Sequence, residues 1–150
     1  IRFYSSIGTS EDVKYSLGVD YSFYLLEKSS KFNFGSNLGI HHNRFNGNLL
    51  NTNEQIYFQL GLQLKYLFRE KFSLRVDLGN RIPFSNENYF LNDSNGNPIP
   101  NSKLESFNFL NPSLEYKIHE TISCFAFYNF AFEDAIDLNS VGIGFIIDLN

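Results

Sequence analysis

Side-chain character alternates with a period of two through almost the whole chain, and this constrains the fold more than any other feature. From Lys14 to Leu25, the residues Tyr15, Leu17, Val19, Tyr21, Phe23 and Leu25 alternate with Lys14, Ser16, Gly18, Asp20, Ser22 and Tyr24. Successive strand side chains point to opposite faces, so the segment carries one apolar face and one small or polar face. The pattern recurs from Lys31 to His41, is longest from Gln55 to Phe68, and returns from Phe72 to Arg81 and from Val141 to Leu149. At the start, Ile1, Phe3 and Ile7 oppose Arg2, Tyr4, Ser6 and Gly8. Two segments are less regular. In Leu104–Ile118 the rings Phe107 and Phe109 stand out of phase with Leu110, Leu114, Tyr116 and Ile118, which predicts a bulge near Asn111 or Pro112. In Thr121–Phe132 both faces carry rings.

These segments make eight strands, and their connections alternate in length. Tight polar turns fall around Glu27–Ser29, Arg69–Lys71 and His119–Glu120, and the other connections span Gly8–Asp12, Asn43–Asn53, Pro83–Ser102 and Glu133–Asn139. Short turns at one end and longer loops at the other predict an all-β chain, an eight-stranded antiparallel up-and-down transmembrane β-barrel, with residues 1–150 as a single outer-membrane domain. No apolar run approaches the roughly 20 residues of a membrane-spanning helix. Ile1 already reads as strand, so an exported protein is met here in mature or trimmed form.

An eight-stranded barrel also suits a soluble lipocalin-like carrier of a hydrophobic ligand, so the outward face must be identified. All eight strand-associated glycines (Gly8, Gly18, Gly35, Gly39, Gly61, Gly79, Gly142 and Gly144) fall on the polar face, as do Ser16, Ser22 and Ser73. Small residues relieve crowding inside a barrel only just wide enough for side chains, so the polar face is the inner one. The opposite face is nearly unbroken Leu, Ile, Val, Phe and Tyr, which water would not tolerate but lipid requires. Tyr21, Phe23, Phe32, Tyr66, Phe68, Phe72 and Tyr116 gather toward the tight-turn end like an aromatic girdle.

The stretch from Ile56 through Leu64-Lys65-Tyr66-Leu67-Phe68-Arg69-Glu70-Lys71-Phe72-Ser73-Leu74 to Gly79 resembles the strand-turn-strand of the PorT-like outer-membrane barrel domain. The whole plan is similar to the OmpX and OmpA transmembrane class. The resemblance implies residence in the bacterial outer membrane and insertion through a C-terminal strand, here Val141–Asn150. That signal usually ends in an aromatic residue, whereas this chain ends in Asn150.

The inner face carries the chain's chemistry. Arg2, Lys14, Asp20, Lys65, Arg75, Asp77, Arg81, Glu115, Lys117 and Asp148 all point inward by phase, and buried charges must be paired or hydrated. Counting up from the tight turns places Arg75 and Glu115 at similar height, with Asp77 and Asp20 above them. Asp20, Lys65, Arg75, Asp77, Arg81 and Glu115 are therefore the candidate lumen charge network, centred on Arg75, Asp77, Glu115 and Asp20. If paired, they form a plug that closes the lumen; if hydrated, they line a narrow pore or channel.

The remaining signals exclude more than they suggest. A net charge of -4 and no basic stripe argue against nucleic acid. The single cysteine, Cys124, rules out an internal disulfide and any multi-cysteine metal site. No catalytic residue and no cofactor is expected: the His-x-Ser pair of lipid-A deacylases is missing, the adjacent His41 and His42 point opposite ways, and His119 lies in a tight turn. All three read as rim residues. No metal site is expected either, since Asn92–Asn97 is rich in oxygen ligands but lacks the closing Glu of a calcium loop. The expected partners are outer-membrane lipid and, through outward loops 43–53 and 83–102, a surface protein or larger envelope assembly. Phe45, Tyr89 and Phe90 are the candidate loop anchors.

Overall fold

The structure, a computed structural model, describes residues 1–10, 12–26, 30–46, 54–84, 90–92, 95, 97–103, 105–133 and 136–149, with the backbone alone for 90–92 and 98–103. Its strands are β1 (Arg2–Gly8), β2 (Val13–Tyr24), β3 (Phe32–Phe45), β4 (Glu54–Arg69), β5 (Phe72–Pro83), β6 (Phe90–Asn92), β7 (Pro98–Lys103), β8 (Phe107–His119), β9 (Ile122–Phe132) and β10 (Ser140–Ile147). Eight of them close into an antiparallel barrel in the order β1-β10-β9-β8-β5-β4-β3-β2, while β6 and β7 pair as a separate two-stranded sheet. Each barrel strand thus lies beside its sequence neighbours, and β1 seals the wall against β10. Closure removes the unpaired strand edges of an open sheet.

The register fixes the shape of the barrel. From Tyr4, ladder partners through Gly18 and His41 lead to Tyr57 on β4. The opposite path, through Gly144, Phe125, Glu115 and Ser73, returns to β4 at Leu67, ten residues further on. A stagger of ten over eight strands corresponds to a strand tilt of about 40°. Because of that tilt, residues far apart in ladder register share a level in the lumen.

Glycines make the lumen habitable for rings. Tyr4 faces Gly18 on one side and Gly144 on the other, while Phe125 faces Gly144 and Phe127 faces Gly142. A Cβ built at Gly18 would stand 2.0 Å from the Tyr4 ring, and one at Gly144 would stand 2.6 Å from the Phe125 ring. Tyr4 is buried and bonded at its hydroxyl, so it has little room to yield. Gly18→Val is expected to destabilise the barrel by about 2–3 kcal/mol, measured as a lower urea midpoint.

Several expectations are corrected. The ladder between β8 and β9 lapses at Asn111 and Pro112 but resumes at Ser113↔Phe127 in the register of Leu110↔Phe130. No bulge sits there; the irregularity lies between Lys117 and His119. Phe107 and Phe109 are simply inward residues, buried in one row with Asn111, Ser113 and Glu115. A bulge does occur between Val13 and Tyr15, and it leaves Lys14 exposed instead of inward. The 43–53 loop begins later than expected, because β3 continues to Phe45, and the 83–102 connection contains the β6–β7 pair. The turn at Glu27–Ser29 lies outside the described residues.

Candidate functional site: the charged lumen

Five of the six expected network residues, Asp20, Lys65, Arg75, Asp77 and Glu115, meet in one chain of ion pairs, and Arg81 does not join it. Asp20, Arg75, Asp77, Arg81 and Glu115 are each no more than 2 % exposed. Arg75, at the centre, pairs with Asp77 at 2.9 Å and Glu115 at 3.5 Å. It also donates to the Tyr24 and Ser22 hydroxyls at 3.1 and 3.0 Å and to the Gln63 side-chain carbonyl. Lys65 reaches Glu115 at 2.5 Å from the tight-turn side, and Ser73 donates to the same carboxylate.

The residue that joins the two halves is Arg2. Its guanidinium bridges Asp20 at 2.6 Å and Asp77 at 2.7 Å. Gln59 donates to both Asp20 oxygens, and Asn37 donates to Asp77. The phase put Arg2 inward, but its height is set by the β1–β10 seam, which no tight turn anchors in the sequence.

Arg81 stands apart from the chain. It has no carboxylate partner among the described residues; its Nε donates to Gln59 at 2.8 Å and its guanidinium lies 4.7 Å from the Phe109 ring centroid. Within the paired network the three carboxylates Asp20, Asp77 and Glu115 are shared by Arg2, Lys65 and Arg75. Arg81 is the surplus charge.

Two further layers lie above the ions. Tyr4 packs edge-on against Phe127, with centroids 5.5 Å apart, and its hydroxyl lies 3.3 Å from His41 Nδ1. His41 is therefore a buried lumen residue and not a rim residue, whereas His42 points outward to Glu54, which also pairs with Arg44. His119 is an exposed residue at the tight-turn end of β8. At the loop end, Val13, Phe45, Tyr57, Phe107, Ile136 and Leu138 form a buried apolar cluster. The 136–139 segment is held across that mouth: Asp137 N–H donates to Asp12, Asn129 to the Leu138 carbonyl, and Ser10 to the Asp137 carbonyl.

This cluster overturns the role expected of Phe45. As the last residue of β3 it faces inward and is 2 % exposed, so it is a lid residue and no partner anchor. Tyr89 lies outside the described residues, and Phe90 is described only as backbone of β6. Tyr57 and Phe107 belong to the same lid. Their signal in the sequence is rings on the polar face near loop-end strand termini.

The lumen is packed. The cavity within the network, bounded by Arg2, Tyr4, Asp20, Asp77, Asn111 and Phe125, measures about 10 Å³. That is about one water molecule, far below a hydrated ion. At the tight-turn end a vestibule of about 180 Å³ opens between Tyr24, Asn33, Lys65, Ser73, Lys117 and Asp148. Among the described residues no group of three His, Cys, Asp or Glu could hold a metal ion.

Outside the wall the chemistry reverses. Leu62, Ile143, Ile40, Leu78, Leu60 and Phe145 are each more than half exposed, within a belt of apolar side chains that runs around the barrel.

No family model and no curated protein matches the chain. Among solved structures it is similar to the outer membrane protein Ail of Yersinia pestis, determined in a phospholipid bilayer nanodisc, at 13% sequence identity and a TM-score of 0.57, over 97% of this chain and 96% of that one. At that identity the likeness is one of fold alone, and the chain has the closed eight-stranded antiparallel barrel fold of that protein.

Proposed function

We propose that the chain is an integral barrel of the bacterial outer membrane with a structural or surface-interaction role, its lumen shut to solutes and its longer connections turned away from the cell. The observation that carries this reading is a broad apolar outer belt around a lumen filled by ion pairs. On β4 the outward apolar residues run from Ile56 to Phe68. At the strand tilt above they span about 30 Å, the thickness of a bilayer's hydrocarbon core. A soluble lipocalin-like carrier would need the opposite arrangement, an apolar cavity and a polar exterior.

The likeness of Ile56–Gly79 to the PorT-like domain and the fold shared with Ail support the same reading. The partners are outer-membrane lipid and, through the connections that follow Phe45 and Pro83, a surface protein or envelope assembly. A narrow pore would need a water path through both the ionic layer and the apolar lid.

The test is reconstitution. The chain is expected to partition into detergent, to migrate differently on a denaturing gel before and after heating, and to give no steady conductance in planar bilayers. Solubility without detergent sinks the membrane reading, and steady single-channel steps sink the closed lumen.

A further inference from the structure

Across β5 and β8 the apolar outer face is interrupted by two amides that meet. Asn80 and Asn108 point outward, stand opposite each other in the ladder, and share a hydrogen bond from Asn80 Nδ2 to Asn108 Oδ1 of 3.3 Å. The outward residues beside them are apolar: Leu78 and Ile82 along β5, Leu60 across on β4, and Phe132 across on β9. Leu60, Leu62, Leu78, Phe132 and the two amides line one groove on the outer wall, which also takes in Ser36 beside Leu62.

One hydrogen bond does not satisfy two amides. Each carries two N–H donors and a carbonyl oxygen with two lone pairs. A single bond between them therefore leaves three N–H groups and one whole carbonyl facing outward, whichever way the amides are turned. In a hydrocarbon environment each unpaired group costs free energy, so the occupant of the groove must bring both an acceptor and a donor.

Depth narrows the occupant. Ile82 is the last outward residue of β5 before Pro83, and Asn108 pairs with Phe132, the last residue of β9. The pair thus lies just inside the loop-end edge of the belt, where acyl chains join their headgroups. An ester-linked chain supplies only acceptors there and leaves the open carbonyl unanswered. A chain linked through a secondary amide supplies a carbonyl for the N–H groups and an N–H for the carbonyl.

We propose that Asn80 and Asn108 form a binding site for an amide-linked acyl lipid of the loop-side leaflet. The site rests on the membrane reading above. It is tested with the full chain in detergent by native mass spectrometry, as a competition between ceramide phosphoethanolamine and phosphatidylethanolamine of matched chain length. The two share a headgroup; the first carries an amide and a free hydroxyl where the second carries two esters. A third arm, the same ceramide lipid methylated at its amide nitrogen, keeps the hydroxyl, loses the amide N–H, and is expected to be retained no better than the ester lipid.

The intact chain is expected to retain the amide lipid about fivefold over the ester lipid, as one extra net hydrogen bond predicts. Asn80→Leu/Asn108→Leu is expected to bring the ratio to about one while keeping heat-dependent gel mobility. Should the double variant not fold, Asn80→Leu and Asn108→Leu singly are each expected to halve the preference. Equal retention by the intact chain, or a preference that survives the substitutions, overturns the site. Failure of the intact chain to enter detergent or lipid at all is a different outcome, and it overturns the membrane reading with it.

Discussion

Arg75→Ala is expected to lower the unfolding free energy of the barrel by about 3–5 kcal/mol, the usual cost of breaking a buried ion pair from one side. The reasoning lies in what stays behind. Asp77 keeps Arg2 but loses Arg75, Glu115 is left with Lys65 and Ser73, and Tyr24, Ser22 and Gln63 lose their shared partner. The chain has no Trp, so unfolding in urea is best followed by circular dichroism and by gel mobility. The same variant removes the central bulk of the ionic layer, and intermittent conductance should appear where the intact chain shows none. Arg81→Met is the control. It deletes an equally buried guanidinium that neutralises no carboxylate, giving up one bond to Gln59 and the contact with Phe109. A loss below about 1 kcal/mol is expected, because removing the surplus charge offsets those contacts. Equal effects at the two positions, or none at Arg75, would mean that the lumen charges are hydrated and interchangeable, and the plug would have to be abandoned.

That contrast also shows how far the lumen can be read from the chain. Alternation and glycine placement were enough to give the strand number and the inward face, because a period of two is local and each glycine reports crowding at its own position. Arg75 and Glu115 could be paired on paper because each is counted from a tight turn a few residues away. Arg2 could not, since its height depends on how the first strand meets the last and on a stagger that only accumulates around the closed wall. Phe107 and Phe109 mislead because a ring on a membrane barrel strand reads as outward by default, whereas both sit in the inward row of β8 without any bulge. Rings belong inside wherever glycine or small partners leave space, as at Tyr4 with Gly18 and Gly144. The lid was illegible for a similar reason: Ile136 and Leu138 belong to a connection, and nothing local says that the connection folds back over Phe45, Tyr57 and Val13.

The largest effect outside the lumen is expected at Leu62. It sits midway along the outward row of β4, flanked by Leu60 and Leu64, and is 68% exposed. In water, exchanging so exposed a leucine for arginine would cost almost nothing and would improve solubility. In a bilayer the same exchange puts a guanidinium near the midplane, and Leu62→Arg is expected to destabilise the inserted barrel by about 2–4 kcal/mol in lipid vesicles. Depth supplies the internal control. Ile56→Arg lies six residues toward the loop end, beside His42 and close to the Arg44–Glu54 pair, where the arginine reaches the interface. Its cost is expected to be at most about 1 kcal/mol. Measuring both by urea titration in vesicles yields a depth profile rather than a single number. A steep profile, costly at Leu62 and shallow at Ile56, is what a spanning wall produces. A flat profile near zero would mean that the belt never meets hydrocarbon, and the glycine-lined polar face would then need another reason to be the inside.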